Sequence, residues 1–212
     1  MSSGQLAREG IRSAVHVVGD IMYDALRMHQ KRAEAKSTIL SRMQLAPKSY
    51  YLATIYRAEN TDRRENLVGL FDGLNRLGKP VILPLHPRTS QQLREYDITP
   101  RKNIQCVAPL GYLGMLKLQE AAACVLTDSG GVQKEAYYLE VPCVTLRNET
   151  EWTETVEVGW NVICGTDPNR IVRAVTEMEH SKAAHPNLYG DGDTADKIAR
   201  ILTAEFQGQR TE

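Results

Sequence analysis

From residue 50 onward, short apolar runs alternate with segments whose apolar residues recur at helical spacing. Residues 50–56 are rich in aromatic and β-branched side chains and predict a strand. Asp62-Arg63-Arg64-Glu65 has the form of a capping box ahead of a helix. Leu67, Leu70, Phe71, Leu74 and Leu77 line one face of that helix, and Gly78-Lys79-Pro80 ends it. Further strands are predicted over 81–85, 103–107, 124–127, 142–146 and 161–164. Helices fall between them, from about Thr89, over 112–122, and after the Gly130-Gly131 pair, with Val132, Ala136 and Leu139 on one face. Gly165-Thr166-Asp167-Pro168 starts another, and a last helix covers 194–206. This alternation predicts an α/β fold: a Rossmann-like parallel sheet with helices on both faces and its ligand outside the carboxyl ends of the strands.

The opening part lacks that rhythm. Residues 1–12 are polar and read as loose, and a short apolar run over 15–18 follows. Asp20 can cap a helix carrying Met22, Ala25, Leu26 and His29, while Ile39, Leu40 and Met43 precede Pro47. Residues 1–48 therefore read as a connector with packing helices, and 49–212 as the α/β domain.

Composition narrows the function classes. Net charge is 0, which gives no support for nucleic-acid or anionic-membrane binding. No apolar run approaches the ~20 residues that span a bilayer, and no signal-peptide core is visible, so a cytoplasmic location is expected. Cys106, Cys124, Cys143 and Cys164 lie in or beside apolar runs without a C-x-x-C pair. They read as buried, reduced small hydrophobes rather than metal ligands, since neither they nor the 5 His show ligand spacing.

Four polar clusters fall at predicted strand ends. In Asp128-Ser129-Gly130-Gly131-Val132-Gln133-Lys134-Glu135, two glycines at a helix start allow close backbone approach, and first-turn amides without intrahelical acceptors favour a phosphate. Ser129 can add a hydroxyl donor, and Glu135, one turn on, can accept from a ribose diol. A tight turn with a good cap is the simpler alternative. In Leu85-His86-Pro87-Arg88-Thr89, His86 can donate to a phosphate and Arg88 can neutralise one, or the pair can be structural. In Tyr56-Arg57-Ala58-Glu59-Asn60, Arg57 and Glu59 either pair with each other or turn one charge to a ligand. Arg147-Asn148-Glu149-Thr150-Glu151-Trp152 places Arg147 and several acceptors beside the same mouth, or forms a polar loop. Their coincidence at one sheet edge makes nucleotide-sugar binding the leading reading.

In order along the chain, the motifs at 54–60, 84–88, 109–112, 127–136 and 146–152 resemble those of the non-hydrolysing UDP-N-acetylglucosamine 2-epimerases. The resemblance implies the C-terminal half of a GT-B-type two-domain architecture, acting on UDP-GlcNAc to give UDP-ManNAc for cell-envelope polysaccharides, without redox cofactor or metal. It implies that Ser129, Gly130 and Gly131 hold the diphosphate and Glu135 the ribose. His86 and Arg57 would lie near phosphate, and Pro109 to Tyr112 would flank uracil. Glu59, Arg147, Thr150 and Glu151 fall toward the sugar side. The family's acid-base carboxylates belong to an N-terminal domain outside this chain, and Tyr56 stands where the motif carries His. A tyrosine, with a pKa of about 10, is a poor exchangeable base at neutral pH. Weak UDP-sugar binding without turnover by this polypeptide alone is therefore expected. An N-terminal partner chain or a homo-oligomer is the implied partner, with an apolar face of the Met22–Leu26 helix left for it. A catalytically dead binding module and a GT-B glycosyltransferase fragment are the alternatives.

Overall fold

The computed structural model describes residues 3–208. The chain divides into two compact units, one spanning His29–Pro186 and the other comprising residues up to Met28 with those from Asn187 onward. The boundary read from the sequence at residue 48 falls inside the larger unit.

The strands are β1 (Tyr51–Thr54), β2 (Val81–Pro84), β3 (Ile104–Val107), β4 (Cys124–Thr127), β5 (Cys143–Thr145) and β6 (Asn161–Ile163). The helices are α1 (Ser3–Arg8), α2 (Ile21–Lys36), α3 (Ile39–Arg42), α4 (Ala58–Thr61), α5 (Arg64–Asn75), α6 (Pro87–Glu95), α7 (Tyr112–Ala121), α8 (Gly130–Tyr138), α9 (Thr153–Glu157), α10 (Pro168–Glu179) and α11 (Thr194–Gly208). All six strands are parallel, in the order β3-β2-β1-β4-β5-β6. The chain builds outward from β1 to one side, then returns beside β1 and builds to the other. The loops after β1 and β4 therefore diverge and leave a crevice at their carboxyl ends.

Strand periodicity of two divides the core. Tyr51, Ala53 and Ile55 of the β1 segment meet Leu67, Leu70, Phe71 and Leu74 of α5 and Ile171, Val175 and Met178 of α10. Leu52, Ile82 and Val125 point to the other face and are also fully buried. Each such side chain contributes roughly 1.5–3 kcal/mol by leaving water. Packing of α5 is close: a Cβ at Gly69 would run into the Thr166 carbonyl oxygen.

Several expectations are corrected. The capping box is not made: α5 starts at Arg64 with Arg63 as its cap and no side-chain cap bond. Asp62 instead ends α4, accepts from the Thr61 hydroxyl and faces Arg88 at 3.8 Å. Of the four cysteines, all free, Cys106 is exposed, because β3 is an edge strand with uncovered Gln105 and Cys106. Burial raises the thiol pKa of the other three, Cys164 to about 12. The start of the chain is not loose throughout, since α1 is helical; Met1 and Ser2 lie outside the described residues. The short helices α4 and α9 have no amphipathic period and were not anticipated.

In the smaller unit, Asp20 caps α2 as expected, its carboxylate accepting from Met22 N at 2.8 Å. Asp24 accepts from Ala195 N at the start of α11. Leu26 is buried, whereas Ile21, Met22 and Met28 are exposed. Among the described residues, no helix is long and apolar enough to cross a membrane.

Candidate functional site

The crevice is built around a carboxylate. Asp128, the first residue after β4, is fully buried. It accepts from the Tyr56 amide (3.0 and 3.3 Å), the Arg57 amide (3.0 Å) and Asn60 Nδ2 (3.1 Å). Asn60 also donates to the Leu146 carbonyl at 3.0 Å. One side chain thus ties the loop after β1 to the start of α8, and Asn60 extends the tie to the end of β5. Burial raises the Asp128 pKa; the donated hydrogen bonds and the Arg57 charge oppose the shift without cancelling it.

Next comes the start of α8. Ser129 is its N-cap, with Oγ accepting from Val132 N at 3.4 Å. Ser129 Oγ also accepts from the Tyr56 hydroxyl at 3.0 Å. With both lone pairs engaged, the serine proton is left to donate outward. The first helical bond of α8 runs from Gln133 N to Ser129 O, and the Gly130 and Gly131 amides donate no hydrogen bond among the described residues. Two amides, one hydroxyl proton and the positive end of the helix therefore converge at the crevice.

Around them stand the other predicted residues. The His86 and Tyr56 rings lie 5.5 Å apart, tilted by 33°. His86 caps α6, its Nδ1 accepting from Arg88 N at 3.2 Å, so Nε2 carries the proton of the neutral ring. Thr89 anchors α6 to the Ile55 carbonyl. Glu135 is partly buried and accepts from Gln119 Nε2 at 2.8 Å, with Tyr112 nearby. Burial raises its pKa against the stabilising influence of Gln119 and then Tyr112. The Tyr112 phenol is pushed up to about 12 by burial, then by the Glu135 charge. Pro109 is exposed just before the Gly111 cap of α7.

The segment after β5 closes the rim. The buried Arg147 donates from Nη1 to both carboxylate oxygens of Glu151, each at 3.0 Å. Partial burial disfavours the Glu151 charge, but its backbone amide, Arg147 and Arg57 outweigh that and hold its pKa below the usual range. Trp152 Nε1 donates to the Gly130 carbonyl at 2.8 Å, and the Lys134 ammonium lies 4.1 Å from the indole centroid. Thr150 is turned inward, donating to Gln133 Oε1 at 2.6 Å and accepting from Trp152 N at 3.1 Å. Asn161 donates to the same Gln133 oxygen.

The structure thus brings Tyr56, His86, Ser129, Gly130 and Gly131 together, with Arg57 and the Arg147–Glu151 pair alongside. It does not form the Arg57–Glu59 pair: Glu59 is exposed, and the Arg57 charge acts on Asp128 and Glu151. The organising roles of Asp128, Gln119 and Trp152 were missed. Asp128 and Trp152 stood inside recognised motifs, whereas Gln119, 16 residues before Glu135, left no local signal.

A profile described as UDP-N-acetylglucosamine 2-epimerase matches residues 2–203. The chain is 42% identical over 202 residues to a UDP-N-acetylglucosamine 2-epimerase homolog of Methanococcus maripaludis, covering 93% of this chain and 57% of the relative. It is 37% identical over 214 residues to the UDP-N-acetylglucosamine 2-epimerase of Methanocaldococcus jannaschii, covering 96% and 58%. The solved structure of the latter organism's UDP-GlcNAc 2-epimerase, in complex with UDP-GlcNAc and UDP, superposes with a TM-score of 0.85 at 38% identity, over 95% of this chain and 58% of that one. The fold is thus that of a part of the GT-B-like epimerases. The chain spans less than two thirds of the length of these relatives.

Proposed function

This chain belongs to the UDP-N-acetylglucosamine 2-epimerase family, and we propose that it grips the UDP part of a UDP-sugar in the interconversion of UDP-GlcNAc and UDP-ManNAc. The carrying observation is the pair of unengaged amides at Gly130 and Gly131, beside a serine hydroxyl whose oxygen already accepts from Tyr56 and Val132 and whose proton is free to donate. Such a socket holds a diphosphate and stabilises the charge it gains when its bond to the sugar breaks. Ser129, Gly130 and Gly131 take the diphosphate, and His86 and Arg57 complete its surroundings. Glu135, held by Gln119, accepts from the ribose diol, while Pro109 and Tyr112 flank the uracil. Glu59 and Glu151 border the sugar. Arg147 and Thr150 shape that border, since their polar groups bond inside the chain.

Epimerisation at C2 also needs a base to remove and return a proton. The Tyr56 hydroxyl donates to Ser129 and does not serve as that base. The polypeptide by itself binds UDP and does not turn over UDP-GlcNAc; an N-terminal-domain partner supplies the base. Its place is the cytoplasmic supply of sugars for the cell envelope. A binding module without catalysis is the second reading, favoured by the same Tyr56 contact.

The test is calorimetric titration with UDP of the wild type, Ser129→Ala and Glu135→Ala, together with a product assay on UDP-GlcNAc. Weaker UDP binding in both variants supports the socket. Unchanged affinity in both overturns it, and conversion of UDP-GlcNAc by the polypeptide alone overturns the account of its catalytic insufficiency. Turnover appearing on addition of an epimerase N-terminal domain separates the enzyme reading from the binding module.

A further inference from the structure

The larger unit carries a second concave feature at the start of α7. A cleft of about 940 Å³ lies where the last turns of α2 and the α3 segment approach the start of α7. Its polar lining is one-sided. Arg32, Lys36 and Arg42 all line it, no Asp or Glu does, and among the described residues none of the three cations pairs with a carboxylate. Arg32 and Lys36 are one helical turn apart, so both present their charge on the same side of α2. All three are exposed, so water and salt weaken their mutual repulsion, and an anion between them would be attracted by all three at once.

The wall opposite the cations adds to this. α7 has 10 residues, and its cap is Gly111, which makes no side-chain cap bond. The first helical bond there runs from Met115 N to Gly111 O, so the amides before it have no intrahelical acceptor. Tyr112 and Ile39 give the cleft an apolar surface, and the Tyr112 ring is held edge-on to His29 with centroids 5.3 Å apart.

We propose that this cleft is a second anion site, separate from the Ser129–Gly131 socket, that takes a phosphorylated small molecule carrying at least two phosphate groups. The cations bind the phosphates, bidentately where Arg32 and Arg42 reach two oxygens, and the Tyr112 side carries whatever ring the ligand bears. Tyr112 belongs to both places, since it also lies near enough to Glu135 for that carboxylate, after burial, to raise its phenol pKa. A ligand in the cleft therefore biases the position of the carboxylate assigned to the ribose. The site itself does not rest on the UDP reading; only this coupling does.

The probe is inorganic pyrophosphate, titrated calorimetrically at low ionic strength, where exposed charges are least screened. The proteins are the wild type, Ser129→Ala, Arg42→Gln, and the combined Arg32→Gln, Lys36→Gln, Arg42→Gln variant, with circular dichroism confirming a shared fold. With saturating UDP filling the Ser129–Gly131 socket, pyrophosphate should bind the wild type and Ser129→Ala alike. The combined variant should lose at least about tenfold in affinity, with Arg42→Gln between, while its UDP affinity stays unchanged. A parallel titration with ADP separates a nucleotide from a bare phosphate ligand: tighter binding than pyrophosphate supports the former, equal binding the latter. No pyrophosphate binding to the wild type overturns the proposal. So does a combined variant within twofold of wild type. Parallel loss of UDP and pyrophosphate in that variant, with UDP blocking pyrophosphate, also overturns it by making the cations part of the UDP site. Failure of the UDP reading would show differently, as UDP binding that Ser129→Ala leaves untouched.

Discussion

The Tyr56 hydroxyl donates to Ser129 Oγ across 3.0 Å, from the loop after β1 to the start of α8. With Val132 N on its other lone pair, the serine has a single free function, its proton. Tyr56→Phe removes the donor while keeping the ring against His86. UDP affinity should then fall about 2–10-fold, the worth of one hydrogen bond. The melting temperature should hardly move, because Tyr56 is 37% exposed. Calorimetry beside a thermal melt checks both; an unchanged Kd would mean that the contact has no part in binding.

Asp128 is the tie beneath that contact. Asp128→Asn keeps the size but turns an amide N–H₂ toward one of the three donors. Leaving a buried donor unmatched costs about 1–3 kcal/mol, to be read from urea denaturation. UDP affinity should weaken with it, as Tyr56 and Arg57 lose their anchor.

The raised Glu135 pKa sets a direction for pH. A raised value means that the carboxyl takes up its proton while the pH is still above the ordinary glutamate range of about 4.3. The neutral acid accepts fewer hydrogen bonds than the carboxylate. UDP affinity should therefore decline on acidification sooner than an ordinary glutamate would dictate. Glu135→Gln should bind more weakly at neutral pH and lack that part of the decline. Titrations at several pH values test this, and superimposable wild-type and variant curves would sink it.

Gly69→Ala tests the packing of α5. Alanine favours a helix over glycine by about 1 kcal/mol, but its methyl would meet the Thr166 carbonyl, a backbone atom that cannot rotate away. The clash should prevail, with a net loss of about 1–3 kcal/mol in chemical denaturation.

Thiol accessibility follows from the sheet order. Only Cys106 is exposed among the four free cysteines. One equivalent should react with a thiol reagent in the native protein, slowly because partial burial raises its pKa. The remaining three should react only on unfolding.

Local pattern by itself determined the alternation of strands and helices, the turn at Ser129-Gly130-Gly131 and the start of α10. Asp167 there accepts from Arg170 N at 2.8 Å ahead of Pro168. These features depend on residues within a few positions of one another, where periodicity, capping and backbone freedom act. Local reading misassigned Asp62, because a cap and an ion-pair partner have the same sequence signature. Only the tertiary structure decided that Asp128 binds amides 71 and 72 residues away, that Gln119 supports Glu135, and that Arg32, Lys36 and Arg42 surround the α7 cleft. Hydrogen bonds and charges act through space over a few ångströms. Which side chains come that close is set by strand order and helix packing, not by spacing along the chain.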